Sequence, residues 1–422
     1  MIGLLGIVFL LGVAFLFSTN RRRALNVRLF LWGLGLPVVI AVLTLRTPIG
    51  SGFFMAANNT ADAFIGFADA GIRFVFGDWP RVTVVSTPAT DGSGQNLPVV
   101  VGFVLAIKVL PIIIFVASVT AILYHVGVMQ KIVALLARGL SRLMNISGAE
   151  ALSTVGDIFL GMTEAPLLIR PYISRMTQSE LFAVMTAGMA TIAGTVLVAY
   201  KAMGIDAGYM VTASFMSAPL AVLVAKIMIP EDSEKPPETM GGVRIEVPRI
   251  DVNVVDAAAR GAGEGMQLAL NVGAMLIAFV AIIFMLDRGL GALGSLFGRP
   301  DLRVIHVLGY PLAPVAWLMG VPWHEAPFVG SLLGTKTALN EFLAYQMLSA
   351  RVAELDPRTV RIATFALCGF ANFGSLAIVL GGLGGMVPER RSDLARLGIK
   401  AILAGSLATF LSGTIAGLIG GG

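Results

Sequence analysis

The chain is short of charge, cysteine and histidine. Only 13% of its 422 residues are charged, whereas a soluble globular chain carries about 25%. Too few polar side chains remain to coat a water-soluble particle, which argues against a cytosolic enzyme, a nucleic-acid binder and a disordered chain. One cysteine, Cys368, excludes an internal disulfide and a cysteine metal site. Three histidines, at 125, 306 and 324, are too few and too scattered for a His-rich metal site. His324-Glu325 starts like a zinc-protease helix, but position 328 is Phe328 where the second histidine belongs. The net charge of +5 comes without a basic stripe interleaved with aromatics, so no nucleic-acid partner is expected.

What is abundant is apolar residues, at 56%, and glycine, at 49 positions. Glycine is more tolerated in membrane helices than in soluble ones. These features describe an all-α polytopic membrane protein of the plasma membrane (the inner membrane if bacterial). A span needs about 20 apolar residues, and candidates fall at 2–18, 28–46, 99–125, 181–203, 207–229, 257–287, 360–387 and 397–419. The first is followed, not preceded, by Arg21, Arg22 and Arg23, which reads as a first helix with an outside N-terminus and not as a signal peptide. Eight spans put Lys131, Arg138, Arg142 and the loop 230–252 inside, although Arg351, Arg358 and Arg361 then fall outside. Segments 77–98 and 230–251 read as loops, and 54–76 as an amphipathic helix in the membrane interface.

Two apolar stretches, 147–176 and 313–347, are interrupted midway by polar and small residues. Broken backbone at membrane depth survives only inside protein or beside a water-filled cavity. Paired interrupted segments are the best sequence pointer to a transporter binding site, so both read as re-entrant hairpins. Each precedes a further interrupted helix, at Thr191-Ile192-Ala193-Gly194 and at Phe370-Ala371-Asn372-Phe373-Gly374-Ser375. Hairpin, broken helix and full helix thus recur, which suggests an inverted repeat with its ligand at the midplane. The expected organisation is 1–146 for N-terminal and scaffold helices, 147–230 for hairpin 1 and the first half of a transport domain. Residues 231–312 then hold a loop and a long scaffold helix, and 313–422 hairpin 2 and the second half.

Gly161-Met162-Thr163-Glu164-Ala165-Pro166, Lys336-Thr337-Ala338-Leu339-Asn340-Glu341-Phe342 and Ala366 through Ser375, in this order, resemble the concentrative nucleoside transporter family. The likeness runs from about residue 30 to the C-terminus. It implies eight spans, two hairpins, a homotrimer, and a scaffold with a mobile transport domain that moves as an elevator. It further implies nucleoside uptake driven by a sodium or proton gradient, with no other cofactor.

Glu164 and Glu341 are intramembrane carboxylates. Such groups cost about 2.5–3.5 kcal/mol on insertion scales and are functional candidates by default. Either they bond a ribose diol or a base edge, or they cap half-helix N-termini. By resemblance, Thr163 and Glu164 face the nucleobase, and Glu341, Asn372 and Ser375 the ribose, with Phe370 against the ligand. Phe370 is otherwise core packing, and the Thr163 and Ser375 hydroxyls otherwise bond back to the preceding turn. Two positions depart from the family. Met162 replaces a base-bonding glutamine with a weak acceptor that donates nothing, leaving purine or pyrimidine preference open. Asp157 replaces a sodium-ligating asparagine; its implied companions are the Leu160 and Ile192 carbonyls and the Thr191 hydroxyl. An all-oxygen shell suits sodium, while a buried carboxylate can instead carry a proton; Asp157 puts the proton first. A helix-end aspartate without an ion role is the alternative. Lys108, costly inside its apolar run, could pair with a carboxylate and so replace a coupling ion, its role being left open, and Lys201 snorkels to the interface. Other readings are the same architecture carrying a modified nucleoside or nucleobase, a passive channel, and an intramembrane enzyme. The last lacks a nucleophile with its base. The Gly381–Gly385 run serves close helix packing.

Overall fold

A computed structural model describes residues 2–77, 85–90, 96–99, 104–232, 237–240 and 251–421. Much of the loop read at 230–251 lies outside them. The described part is helical apart from one antiparallel hairpin, β1 (Val85–Thr90) with β2 (Asn96–Val99). That hairpin corrects the reading of 77–98 as loop throughout.

The N-terminal helices are α1 (Ile2–Leu16), α2 (Val27–Arg46) and α3 (Pro48–Phe76). Thr47 caps α3 by accepting from the Gly50 N–H, and Pro48 suits the first turn, where no N–H is needed. The helix read at 54–76 thus starts earlier. After the short helix Leu105–Lys108 comes α4 (Leu110–His125), then α5 (Val128–Met144), whose buried residues line one face.

Hairpin 1 follows. Helix α6 (Gly148–Phe159) begins with a reciprocal Ser147–Glu150 capping box, breaks at 160–164, and returns through a 3-10 turn Ala165–Ile169 and the helix Arg170–Ile173. The next span is broken into α7 (Gln178–Ala190) and α8 (Gly194–Ala202), and α9 (Ala207–Met228) is continuous. Across the middle runs α10 (Val254–Ser295), 42 residues long. The same order then recurs: α11 (Val304–Leu318), a hairpin of α12 (Ala326–Ala338) and α13 (Glu341–Ser349), a span broken into α14 (Pro357–Leu367) and α15 (Phe373–Met386), and the continuous α16 (Arg391–Ile419).

Among the described residues, six helical stretches are long and apolar enough to cross a membrane. They match six of the eight expected spans. The seventh, at 2–18, is a 15-residue helix, and the eighth, at 360–387, is the broken pair α14–α15. Two boundaries move. Hairpin 2 starts at Ala326, so residue 313 falls inside α11. Gly320-Val321-Pro322 is the turn between α11 and α12, and the hairpin tip is Leu339–Asn340. Pro311 and Pro314 sit inside α11, Pro322 ends the turn, and Pro327 is in the first turn of α12.

The helices sort by burial. Alpha-helices α7, α9 and α16 pack on one another and are almost wholly buried, so the two repeats share one core. By contrast α10 packs mainly on α4 and exposes most of its apolar surface, including Ile277, Phe284 and Met285. The α4–α10 seam is tight because Gly261 and Gly265 admit the α4 backbone. A Cβ on Gly265 would meet the Ile114 Cα at 2.7 Å. The Ser118 hydroxyl adds a bond to the Ala258 carbonyl at 2.9 Å.

Candidate functional site

Helix breaks leave terminal N–H and C=O groups without intrahelical partners, and here four breaks are brought together. Leu160, extended at φ −97°, ends α6. Thr191 ends α7 with φ −120°, and Ala193 precedes α8. These two breaks abut: a Cβ on Gly194 would lie 3.2 Å from the Phe159 carbonyl. In the second repeat Asn340 opens α13 and Asn372 opens α15. Each asparagine is an N-cap, accepting from the Leu343 N–H at 2.9 Å and the Ser375 N–H at 2.7 Å.

Between the breaks lies a cavity of about 140 Å³. Met162, Thr163, Glu164, Glu341, Phe370, Asn372 and Ser375, all seven expected ligand-facing residues, line it together. Its far wall is apolar and comes from Leu268, Val272 and Met275 of α10. Scattered over more than 200 residues of sequence, these groups meet only through the fold.

Glu341 is nearly buried and accepts two hydrogen bonds, from the Tyr200 hydroxyl at 3.0 Å and the Asn372 amide at 2.9 Å. The Asn372 side chain is thereby oriented, with its oxygen on Ser375 N–H and its nitrogen on Glu341. Each carboxylate oxygen retains a lone pair for a further donor. Glu164 differs. Its carboxylate accepts from the Gly161 N–H at 3.2 Å, closing the hairpin turn as a cap. It also borders a second, narrower cleft with Tyr124, Thr195, Leu160, Arg260 and Glu264. Phe370 faces the cavity while packing on the core, so its two readings are compatible. The Thr163 side chain packs on Gly382, where a Cβ would come within 2.8 Å of its methyl. Close packing therefore explains Gly382 within the glycine run.

The four residues expected to hold an ion surround the first pair of breaks. Asp157 is 2% exposed, and neither carboxylate oxygen has a hydrogen-bond partner among the described residues. A buried carboxylate without donors is costly unless a cation or proton neutralises it. Gly188 of α7 leaves it room: a Cβ there would stand 3.7 Å from Asp157 Oδ1 and 3.0 Å from the Met162 Cβ. Thr191 donates its hydroxyl proton to the Ala187 carbonyl at 2.9 Å, which leaves lone pairs on its oxygen. The donor set of Asp157, Thr191 and the terminal carbonyls of Leu160 and Ile192 fits a hard cation. Among the described residues no group of three or more His, Cys, Asp or Glu is arranged as a metal site.

Several contributors were not legible in the sequence. Tyr200 has no motif around it. Arg260 and Glu264 look like ordinary loop-proximal charges. Asn340 carried a usable signal, a capping residue directly before an acidic first turn. Lys336, wholly buried, stood inside a quoted motif without being singled out. The Lys201 ammonium lies 3.6 Å from Asp62 of α3. Lys108 ends the short helix before α4 and is half-buried. Outside the spans, Asp251 is bonded twice by Arg260, at 2.7 and 2.9 Å, and that hydrogen bonding holds its carboxyl below the usual aspartate range.

A cavity between paired helix breaks, carrying a few carboxylate, amide and hydroxyl groups and walled on one side by a separate apolar helix, fits a membrane carrier. The chain belongs to the sodium-dependent, or concentrative, nucleoside transporter family. It matches the family's N-terminal region over residues 5–79, its nucleoside-recognition gate region over 106–207 and its C-terminal region over 209–417. An uncharacterized transporter of Bacillus subtilis is 42% identical, covering 99% of this chain and 98% of that protein. The nucleoside permease NupC of Helicobacter pylori is 39% identical, covering 98% and 96%. Sodium/nucleoside cotransporter 2 of Rattus norvegicus is 39% identical over 96% of this chain but only 61% of its own length. Among solved structures, CNTnw in an inward-facing substrate-bound state has 42% identity and a TM-score of 0.89, covering 99% of this chain and 98% of that one. A doubly substituted CNTnw in an outward-facing state matches with 42% identity and a TM-score of 0.89, covering 99% and 97%. The protein is a transporter and not an enzyme.

Proposed function

We propose that the protein is a symporter that imports nucleosides by carrying its two-repeat core past α4 and α10 as an elevator. The observation that supports this is the joining of Met162, Thr163, Glu164, Glu341, Phe370, Asn372 and Ser375 around one cavity. Glu341 and Asn372 take the ribose hydroxyls through their remaining lone pairs and donors. Thr163 and Glu164 take the base edge, and Phe370 packs on the ring. Met162 adds contact without hydrogen-bond selectivity. The coupling ion is sodium, held by Asp157, Thr191 and the Leu160 and Ile192 carbonyls, in keeping with the family's sodium dependence. A second reading, with the proton as coupling ion, draws on the partnerless Asp157 carboxyl, which a single proton also neutralises. The exposed apolar face of α10 serves packing between copies in a homotrimer.

The test is nucleoside uptake by purified protein in liposomes, with sodium and pH gradients imposed separately. Sodium-driven uptake that ignores pH supports the first reading, and proton-driven uptake supports the second. Downhill flux with neither gradient able to concentrate nucleoside overturns symport. Competition by a panel of nucleosides and free bases against labelled uridine then separates ribose recognition from base recognition.

A further inference from the structure

Two cavities meet at hairpin 1. Glu164 and Thr195 line the ligand cavity and also the cleft of about 60 Å³ beside it. Among the cleft's other walls are Tyr124 of α4 and Arg260 and Glu264 of α10. Residues 260, 264, 268 and 272 are four apart, so they follow one face of α10. That face is charged beside the cleft and apolar beside the ligand cavity, at Leu268 and Val272. The positive-inside pattern puts the start of α10 and the end of α4 on the cytoplasmic side. The cleft therefore continues the ligand cavity toward the cytoplasm. Its α4–α10 wall is rigid. A Cβ on Gly261 would stand 2.6 Å from the Ala121 Cβ and 2.7 Å from the Ala117 carbonyl oxygen. Opening has to come from hairpin 1 and α8.

Arg260 is fixed at the cleft by two carboxylates. Asp251 accepts from its Nε at 2.7 Å and its Nη2 at 2.9 Å. Glu264 accepts from its Nη1 at 2.8 and 3.0 Å. The N–H groups of a guanidinium lie in its plane, so these bonds take up its edge. Its flat faces are left for stacking, and 28% of the side chain stays exposed. An arginine plane stacks on a nucleobase much as an aromatic ring does. The half-buried Tyr124 supplies such a ring from the neighbouring helix.

We propose that the cleft is a second nucleoside subsite, in which Tyr124 and Arg260 hold the base during release to the cytoplasm. This inference rests on the reading that Glu164 takes the base edge in the ligand cavity. Glu164 borders both spaces, whereas Glu341 and Asn372, which take the ribose, border the ligand cavity and not the cleft. The base is then the end of the nucleoside nearest the cleft, and it leaves first. The cleft has less than half the volume of the ligand cavity, so the base enters it as hairpin 1 draws back. Stacking on Tyr124 and Arg260 stands in for the hydrogen bonds given up in the ligand cavity. Glu264 offers carboxylate lone pairs to base N–H groups.

Photolabelling of the reconstituted protein with 4-thiouridine, followed by peptide mapping, locates the base. Adducts are expected on the Tyr124 segment as well as on residues of the ligand cavity. Adducts confined to the ligand cavity overturn the subsite and leave the nucleoside reading standing. If excess uridine suppresses no adduct, the nucleoside reading itself falls, so the two failures are distinct. Transport supplies a second measurement. Arg260→Lys keeps the charge that faces Asp251 and Glu264 but lacks the flat plane. Uptake into everted vesicles reads the cytoplasmic side, and uptake into right-side-out vesicles the outer side. In Arg260→Lys and in Tyr124→Leu, half-saturation by uridine should rise about tenfold on the cytoplasmic side and stay unchanged on the outer side. Tyr124→Phe, which keeps the ring, should match the unsubstituted protein. An equal rise on both sides, or none on either, overturns the proposal. If Arg260→Lys does not fold, the photolabel on the unsubstituted protein still decides.

Discussion

At the scale of single residues, the site is a set of carboxylates with unequal surroundings. Glu341 is held by Tyr200 and Asn372, Glu164 by its own turn, and Asp157 by no hydrogen bond from the described residues. Glu341→Gln should therefore leave the fold intact but weaken ribonucleoside transport about 10- to 100-fold. That is the loss of one charge-assisted bond of roughly 1.5–3 kcal/mol. The check is the apparent affinity for uridine against that for a free base; equal loss for both would contradict ribose recognition at Glu341. Asp157→Asn should raise the sodium concentration for half-maximal uptake by about tenfold or more while sparing nucleoside affinity at saturating sodium. Asp251 gives a pH prediction. Its folded-state carboxyl is held below the ordinary value by Arg260, so its tether to α10 is present above the unfolded value. That contribution is lost as pH falls through the folded one. Melting midpoints of the wild type and Asp251→Asn should converge on acidification.

At the scale of elements, close approaches and one buried ion cluster decide integrity. Gly369 sits in the α14–α15 break, where a Cβ would meet the Ala190 carbonyl carbon and the Met189 oxygen, both at 2.9 Å. Backbone cannot move aside as a side chain can, so Gly369→Ala should destabilise by about 1–3 kcal/mol. It should also lower uptake, because the two broken helices touch there. Lys226 at the end of α9 pairs with Glu150 and lies 2.8 Å from Glu231 and 3.0 Å from the Ser179 hydroxyl. Removing its charge strands a fully buried Glu150, a loss of about 3–5 kcal/mol. Lys226→Met should thus unfold earlier in a detergent thermal-shift assay, and Lys226→Met with Glu150→Gln should recover part of the loss.

At the scale of the whole molecule, burial separates a shared core from a peripheral wall. The core takes α7, α9 and α16 from both repeats, while α4 and α10 form a seam that shows the bilayer or a second copy a long apolar face. Native mass spectrometry of the detergent-extracted protein should find a trimer; a monomer at all concentrations would refute the assembly drawn for α10. An elevator further requires the core to slide past α10. A cross-link fixing Leu268 of α10 to Ser375 of α15 should abolish uptake while preserving folding, and reduction should restore it.

The sequence by itself determined that the chain lives in a bilayer, where most spans lie, and which polar residues sit at helix breaks. Those properties depend on local composition, since burying charge in lipid is costly wherever it occurs and breaks announce themselves by small and polar residues. Local composition also blurred one edge: the interrupted stretch read at 313–347 takes in the end of α11 and the turn Gly320-Val321-Pro322 ahead of the hairpin, because prolines break the pattern there too. Only the tertiary structure decided which breaks meet. It put Tyr200 on Glu341, left Asp157 without a partner and set Lys336 against Ala366 and Thr409. Those relations join residues far apart in the chain, through crossings fixed by glycine-sized gaps between helices. No periodicity in the sequence encodes them.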